Sequence, residues 1–240
     1  MVDAQRTEHD CIIVGGGPAG LTAAIYLARF HLAVAVFDDG QSRAARIPLA
    51  RNLAGYPVGV AGRDLLRRMR SQAEGFGAAV LPQRVEALAA GEVGFTAVTA
   101  SGRHRAAQVL LATGVINLAP DMAEEEHDDA LRRGLIRYCP VCDGFEVTDR
   151  SVALLGTGAH GLAEAEFLRS YSARVSLLAP HGPHRLDTEQ MARLKAWDIT
   201  AVDGPVRAIR PGAAKIALDT ADGTRHFDTL YPAVGTEMRS

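Results

Sequence analysis

The 240-residue chain is 48% hydrophobic and 22% charged, the make-up of a globular protein with buried cores, which excludes a disordered one. A net charge of −2, from 26 basic and 28 acidic residues with no basic block, leaves no electrostatic footprint for nucleic acid. Glycines, arginines or acids interrupt every apolar run short of the ~20 residues a membrane helix needs, which excludes a spanning helix.

The first ten residues, MVDAQRTEHD, mix charges of both signs and lack the apolar centre of a secretory leader, so a soluble, cytoplasmic protein is expected. Residues 10–14, DCIIV, form a short β-favouring run, followed at once by GGGPAG at 15–20. LTAAIYLARF at 21–30 has helical apolar spacing, and LAVAVFDD at 32–39 reads as the next strand. A strand, glycine turn, helix and strand in this order imply a parallel sheet.

Gly15, Gly17 and Gly20 have the GxGxxG spacing, with Pro18 and Ala19 between the last two. The first glycine allows a tight turn, the second lets backbone approach a pyrophosphate, and the third lets helix meet strand. Asp38 ends the second strand, where an acid accepts ribose hydroxyls, with Asp39 as the lesser candidate. The competing interpretation is a tight turn with no ligand.

Residues 63–75 read as a helix, and 79–81, 94–100 and 106–114 as strands. At 115–130, VINLAPDMAEEEHDDA mixes turn residues with acids, and a domain boundary is expected there. SVALLGTGAHG at 151–161 repeats the strand-then-glycines pattern, with helical AEAEFLRSY and the strand ARVSLLAP after it. The fold class is therefore α/β with two Rossmann-like dinucleotide-binding domains, and the chain duplicates an architecture without any short repeat.

Three cysteines are too few, and odd in number, for a secreted disulfide framework. In YCPVCDGFE at 138–146, Cys139 and Cys142 can close a small disulfide where the backbone turns, and a helix start there favours a thiolate. Asp143 follows directly and is placed to supply the proton that a departing sulfur requires. Half a zinc site and a pair of buried small residues stand as alternatives, although the chain has no second cysteine pair. Cys11 is left over, His160 reads as an idle loop histidine, and His181 and His184 read as a solvated turn rather than metal ligands.

The order of these segments resembles the flavoprotein disulfide reductases with two dinucleotide folds, of the low-molecular-weight thioredoxin reductase-like type. The resemblance rests on GGGPAG, on LLATG at 110–114, on CPVCDG beside the family's Cys-Ala-Thr-Cys-Asp-Gly, and on the second glycine motif. It implies FAD on residues 1–114, held by Gly15, Gly17, Pro18, Ala19, Gly20, Asp38, Asn52 of RNLAGYP, Val85, Thr113 and Gly114. It implies NADPH, or NADH, on residues 115–240, at Gly156, Gly158, Gly161 and Arg185. Cys142 would face the flavin, Cys139 would meet the external disulfide, and Asp143 would give the proton; no metal is implied.

The partner implied is thioredoxin, another protein disulfide or a small disulfide or dithiol, and the assembly a homodimer. Three departures stand out. Pro140-Val141 fills the cysteine pair, as in relatives that oxidise small dithiols. The paired arginines that bind a 2′-phosphate are missing around Ala179–Arg185. The chain stops at YPAVGTEMRS, where the family returns to complete its flavin domain, so a truncation or a natural short variant is expected. The rival functions are a dithiol oxidase and a non-catalytic redox-sensing nucleotide-binding module.

Overall fold

The computed structural model describes residues 8–239; residues 1–7, on which most of the leader interpretation falls, lie outside the described residues. The chain divides into two compact units, the first comprising residues up to Leu49, Val60–Ile116 and the last residues from Met238, the second Ala50–Gly59 and Asn117–Glu237. No helix among the described residues is long and apolar enough to cross a membrane.

The first unit is built on a six-stranded sheet: β1 (His9–Val14), β2 (Val34–Phe37), β3 (Ala79–Leu81), β4 (Val85–Ala90), β5 (Phe95–Thr99) and β6 (Gly102–Leu111). Their order is β3-β2-β1-β6-β5-β4, with β3, β2, β1 and β6 parallel and β5 and β4 antiparallel. β2 is buried along its whole length, as a central parallel strand must be. Alternate residues serve opposite faces: Cys11, Ile13, Val34 and Val36 join one core, Ile12, Ala35 and Phe37 the other.

Helix α1 (Pro18–Arg29) starts three residues before the sequence suggested, because proline fits the first helical position, where no N–H is needed. It buries Leu21, Ala24, Ile25 and Ala28, one stripe at helical spacing. Helix α2 (Gly62–Gly75) follows closely the expected range.

The second unit carries helices α3 (Glu124–Arg132), α4 (Pro140–Asp143), α5 (Gly158–Leu168) and α6 (Thr188–Ala196). After the short β7 (Val115–Asn117), its strands are β8 (Ser151–Leu155), β9 (Arg174–Leu178), β10 (Thr200–Val202), β11 (Ala208–Pro211), β12 (Ile216–Thr220), β13 (Gly223–Phe227), β14 (Thr229–Pro232) and β15 (Thr236–Met238). A parallel sheet runs β10-β9-β8-β14, an antiparallel one β11-β12-β13, and β15 pairs with β7.

Within the acidic stretch after residue 115, α3 forms with three glutamates in its first turn, where the helix dipole favours negative charge, and buries only His127 and Ala130. One expectation is corrected here. The strand expected over 106–114 spans Gly102–Leu111, so Ala112-Thr113-Gly114 follows the strand instead of closing it.

Candidate active site

In the first unit, β1 delivers the chain into a turn whose first residue has to be glycine. Gly15 has φ +109°, and a Cβ there would meet the Ala112 carbonyl oxygen at 2.3 Å and Thr113 Cα at 3.3 Å. The Ala-Thr-Gly exit from β6 is therefore the surface against which this turn closes. A Cβ on Gly20 would meet the Gly15 carbonyl oxygen at 1.9 Å.

Gly17 differs. It is the extended N-cap of α1 with no side-chain cap, and a Cβ there would meet only Ser42 Oγ, at 3.2 Å. Backbone N–H groups at the start of α1 thus border open space, the arrangement a pyrophosphate fits. Pro18 and Ala19 are exposed beside it.

Asp38 is half-buried, and its Oδ1 accepts from Gly40 N at 3.2 Å. A Cβ on Gly16 would sit 2.5 Å from Asp38 Oδ2, so Gly16, which the spacing rule leaves unmarked, makes room for that carboxylate. Asp39 instead faces Arg84 and Arg239 at 3.9 and 3.7 Å. Val85 is half-buried at the start of the edge strand β4, Gly114 has φ +74°, and Asn52 is exposed in the Ala50–Gly59 stretch.

The second glycine motif follows β8 in the same manner. A Cβ on Gly156 would meet Ala233 Cβ at 2.9 Å, and one on Gly161 would meet Gly156 C at 3.0 Å. Gly158, at φ +66°, has nothing within 4 Å of that position, and Thr157 caps α5 without a side-chain bond. This cradle also fits a phosphate.

Arg185 is exposed between β9 and α6. His184, expected in a solvated turn, is half-buried: ring Nε2 lies 3.0 Å from Leu177 O, and the backbone N–H of His184 donates to Asp203 Oδ1 at 2.8 Å. These bonds tie it to β9 and to the residue that follows β10. His160, expected in a loop, lies exposed on α5 with Nε2 3.3 Å from Glu164 Oε1.

Cys139 and Cys142 are joined as a disulfide, with Cα atoms 5.1 Å apart. Sulfurs bonded to each other in this way are not available as metal ligands. Pro140 starts α4, and the N–H groups of Cys142 and Asp143 donate to Cys139 O at 2.8 and 3.1 Å, closing the one-turn helix around the ring. Cys142 is exposed and Cys139 half-buried, flanked by Val141 and Phe145, 73% and 78% exposed.

Asp143 is held at both oxygens. Tyr231 OH donates to Oδ1 at 2.8 Å and Arg137 Nη1 to Oδ2 at 3.0 Å. Burial pushes the Asp143 carboxyl above the ordinary carboxylate range, against the opposing pull of the Arg137 charge and the Tyr231 hydrogen bond. Burial first, and then the neighbouring carboxylate, push the Tyr231 hydroxyl above its ordinary value, so it stays a neutral donor.

Arg137 and Tyr231 carry no sequence motif and were not foreseen; for Gly144, the glycine of CPVCDG, the sequence did not show that a Cβ would meet the Tyr171 ring at 2.6 Å. His127, buried on α3, shares a 2.7 Å hydrogen bond with the hydroxyl of Tyr138, the neighbour of Cys139. Among the described residues, the group close enough to share a metal is Glu8, His9 and His104, and neither Cys139 nor Cys142 belongs to it.

Each unit carries a glycine turn that fits a phosphate, and the second adds a disulfide followed directly by a half-buried carboxyl. Residues 9–239 match the family described as pyridine nucleotide-disulphide oxidoreductase, and the chain belongs to that family. It is 35% identical over 184 residues to a thioredoxin reductase of Streptomyces coelicolor, covering 75% of this chain and 55% of that protein. It is 32% identical over 254 aligned positions to one of Mycolicibacterium smegmatis, covering 100% of this chain and 79% of that protein. The crystal structure of thioredoxin reductase from Streptococcus pyogenes superposes with a TM-score of 0.85 at 25% identity, covering 95% of this chain and 77% of the other.

Proposed function

We propose that the chain is a flavin-dependent disulfide oxidoreductase of the thioredoxin reductase type. Electrons pass from a nicotinamide cofactor, NADPH or NADH, through FAD to the Cys139–Cys142 disulfide and on to a protein disulfide such as thioredoxin, or to a small-molecule disulfide. Residues 1–114 are assigned the FAD, with Gly15, Gly17, Pro18, Ala19, Gly20, Asp38, Asn52, Val85, Thr113 and Gly114 around it. Residues 115–240 are assigned the nicotinamide nucleotide, at Gly156, Gly158, Gly161 and Arg185, together with the redox pair.

The observation that carries this assignment is the disulfide of Cys139 and Cys142 with a doubly held Asp143 next to it. When bound, the nicotinamide supplies a hydride and the flavin relays its electron pair. Once the disulfide is reduced, the Cys139 thiolate attacks a substrate sulfur and expels the other as a thiolate, leaving a mixed disulfide. The Cys142 thiol then attacks the Cys139 sulfur, restoring the internal bond, and its proton goes to the second substrate sulfur as that is released. Asp143 gives its proton to a departing sulfur and regains one from water.

A dithiol oxidase working in the opposite direction is the second reading, drawn from Pro140-Val141 between the cysteines. A cytoplasmic homodimer completes the proposal, and sedimentation checks the dimer. The deciding experiment combines a visible spectrum before and after anaerobic NADPH with disulfide turnover by wild type, Cys139→Ser and Cys142→Ser. Flavin bleaching in the wild type, with turnover lost in both variants, is expected. Undiminished turnover in either variant refutes the assignment, and oxygen uptake with dithiol alone selects the oxidase.

A further inference from the structure

Asp143 is gripped from two directions by residues far apart in sequence. Arg137 comes from the segment between α3 and α4, whereas Tyr231 lies on β14, 88 residues beyond Asp143, and is 1% exposed. The hydroxyl also lies 3.3 Å from the Asp143 carbonyl oxygen, so β14 anchors the end of α4 through both backbone and side chain. A carboxyl claimed at each oxygen by a different donor cannot rotate without breaking a charge-assisted bond.

We propose that Arg137 and Tyr231 are positioning residues that fix the Asp143 carboxyl beside the disulfide and govern its release of a proton. This rests on the redox reading above. The hydride brings two electrons, and reducing a disulfide to two thiols requires one further proton, which Asp143 takes from water and passes to a thiolate, becoming a carboxylate. Burial favours the neutral acid that can make this transfer, while Arg137 and Tyr231 favour the carboxylate that remains afterwards. The balance lets the same group give and regain a proton in each turnover.

The charged and titratable groups facing Asp143 are Arg137, Tyr231 and Glu146; Glu146 opposes ionisation and itself lies 3.8 Å from Arg51. Tyr231 stays neutral over the working range, so within the Tyr231–Asp143 hydrogen bond it is Asp143 that titrates. Removing either donor takes away a partner of the carboxylate and raises the proton affinity of Asp143.

The test uses Tyr231→Phe, which keeps the ring and loses one donor, and Arg137→Gln, with Arg137→Lys as the rescue of charge. Carbon-13 NMR of Asp143 is followed against pH in the oxidised protein, alongside the pH profile of disulfide reduction. Turnover that needs protonated Asp143 falls as pH rises through its titration. In Tyr231→Phe and Arg137→Gln that fall and the NMR midpoint should both move upward, by about one pH unit, and Arg137→Lys should return part of the way. Unmoved midpoints in both folded variants overturn the proposal. A moved midpoint in a protein that reduces no disulfide upholds the clamp while sinking the redox reading.

Discussion

Replacing Gly20 by alanine puts a Cβ 1.9 Å from the Gly15 carbonyl oxygen, where ordinary contact begins at 3.4 Å. The start of α1 would have to retreat by about 1.5 Å, since carbon pairs rest near 3.5 Å and a backbone oxygen cannot swing aside as a side chain does. Overpacking of this kind costs roughly 1–3 kcal/mol, and an unyielding neighbour puts Gly20→Ala at about 3 kcal/mol. With a urea dependence of roughly 1–3 kcal/mol per molar, the unfolding midpoint falls by about 1–3 M.

Gly17→Ala is the matched control. Its backbone, at φ −74° and ψ −178°, suits any residue, and the new methyl meets only Ser42 Oγ at 3.2 Å. Stability should stay within about 1 kcal/mol of wild type, since alanine also restricts the unfolded chain. The same methyl occupies the space where the pyrophosphate approaches, so flavin per chain should drop about tenfold or more. Urea unfolding followed by circular dichroism, and flavin absorbance after gel filtration, read the two effects separately. If Gly17→Ala unfolds as early as Gly20→Ala, or holds flavin as well as wild type, the division of labour between these glycines is wrong.

Gly144→Ala drives a methyl to 2.6 Å from Tyr171 Cε2, and should cost about 1–3 kcal/mol in thermal melts. Adding Tyr171→Leu should recover most of that loss in a double-mutant cycle. The Ser151 N–H, with Lys215 in support, holds the Asp228 carboxyl below its usual value of 3.8, so its stabilisation is present above about pH 4 and vanishes as pH falls through the folded value. Asp228→Asn should therefore melt below wild type at pH 7, and the gap should close on acidification. Cys11 is 7% exposed and burial pushes its thiol up, so Ellman's reagent should count two fast thiols in the reduced, folded protein and the third of its cysteines only after unfolding.

The unit from β1 through α1 to β2 was legible in the sequence because every signal in it is local: an apolar run, glycines at fixed spacing, then a helical stripe. The cysteine ring was legible for the same reason, its two sulfurs lying one turn apart. Where signals were faint, the sequence stayed silent. The strands β11, β12 and β13 are short and find their regular structure only by pairing with each other, while α3 shows a mere two buried positions to its core.

Residue types and spacing alone thus determined a two-fold nucleotide architecture and a cysteine pair able to close. Only the tertiary structure decided what holds Asp143, because Tyr231 reaches it across 88 residues and no local pattern encodes that meeting. It also decided why Gly16 is a glycine, since its neighbour Asp38 arrives on a different strand end. Periodicity reports which face of an element is buried, whereas a carboxyl's proton affinity depends on charges and burial that exist only once the strands have assembled.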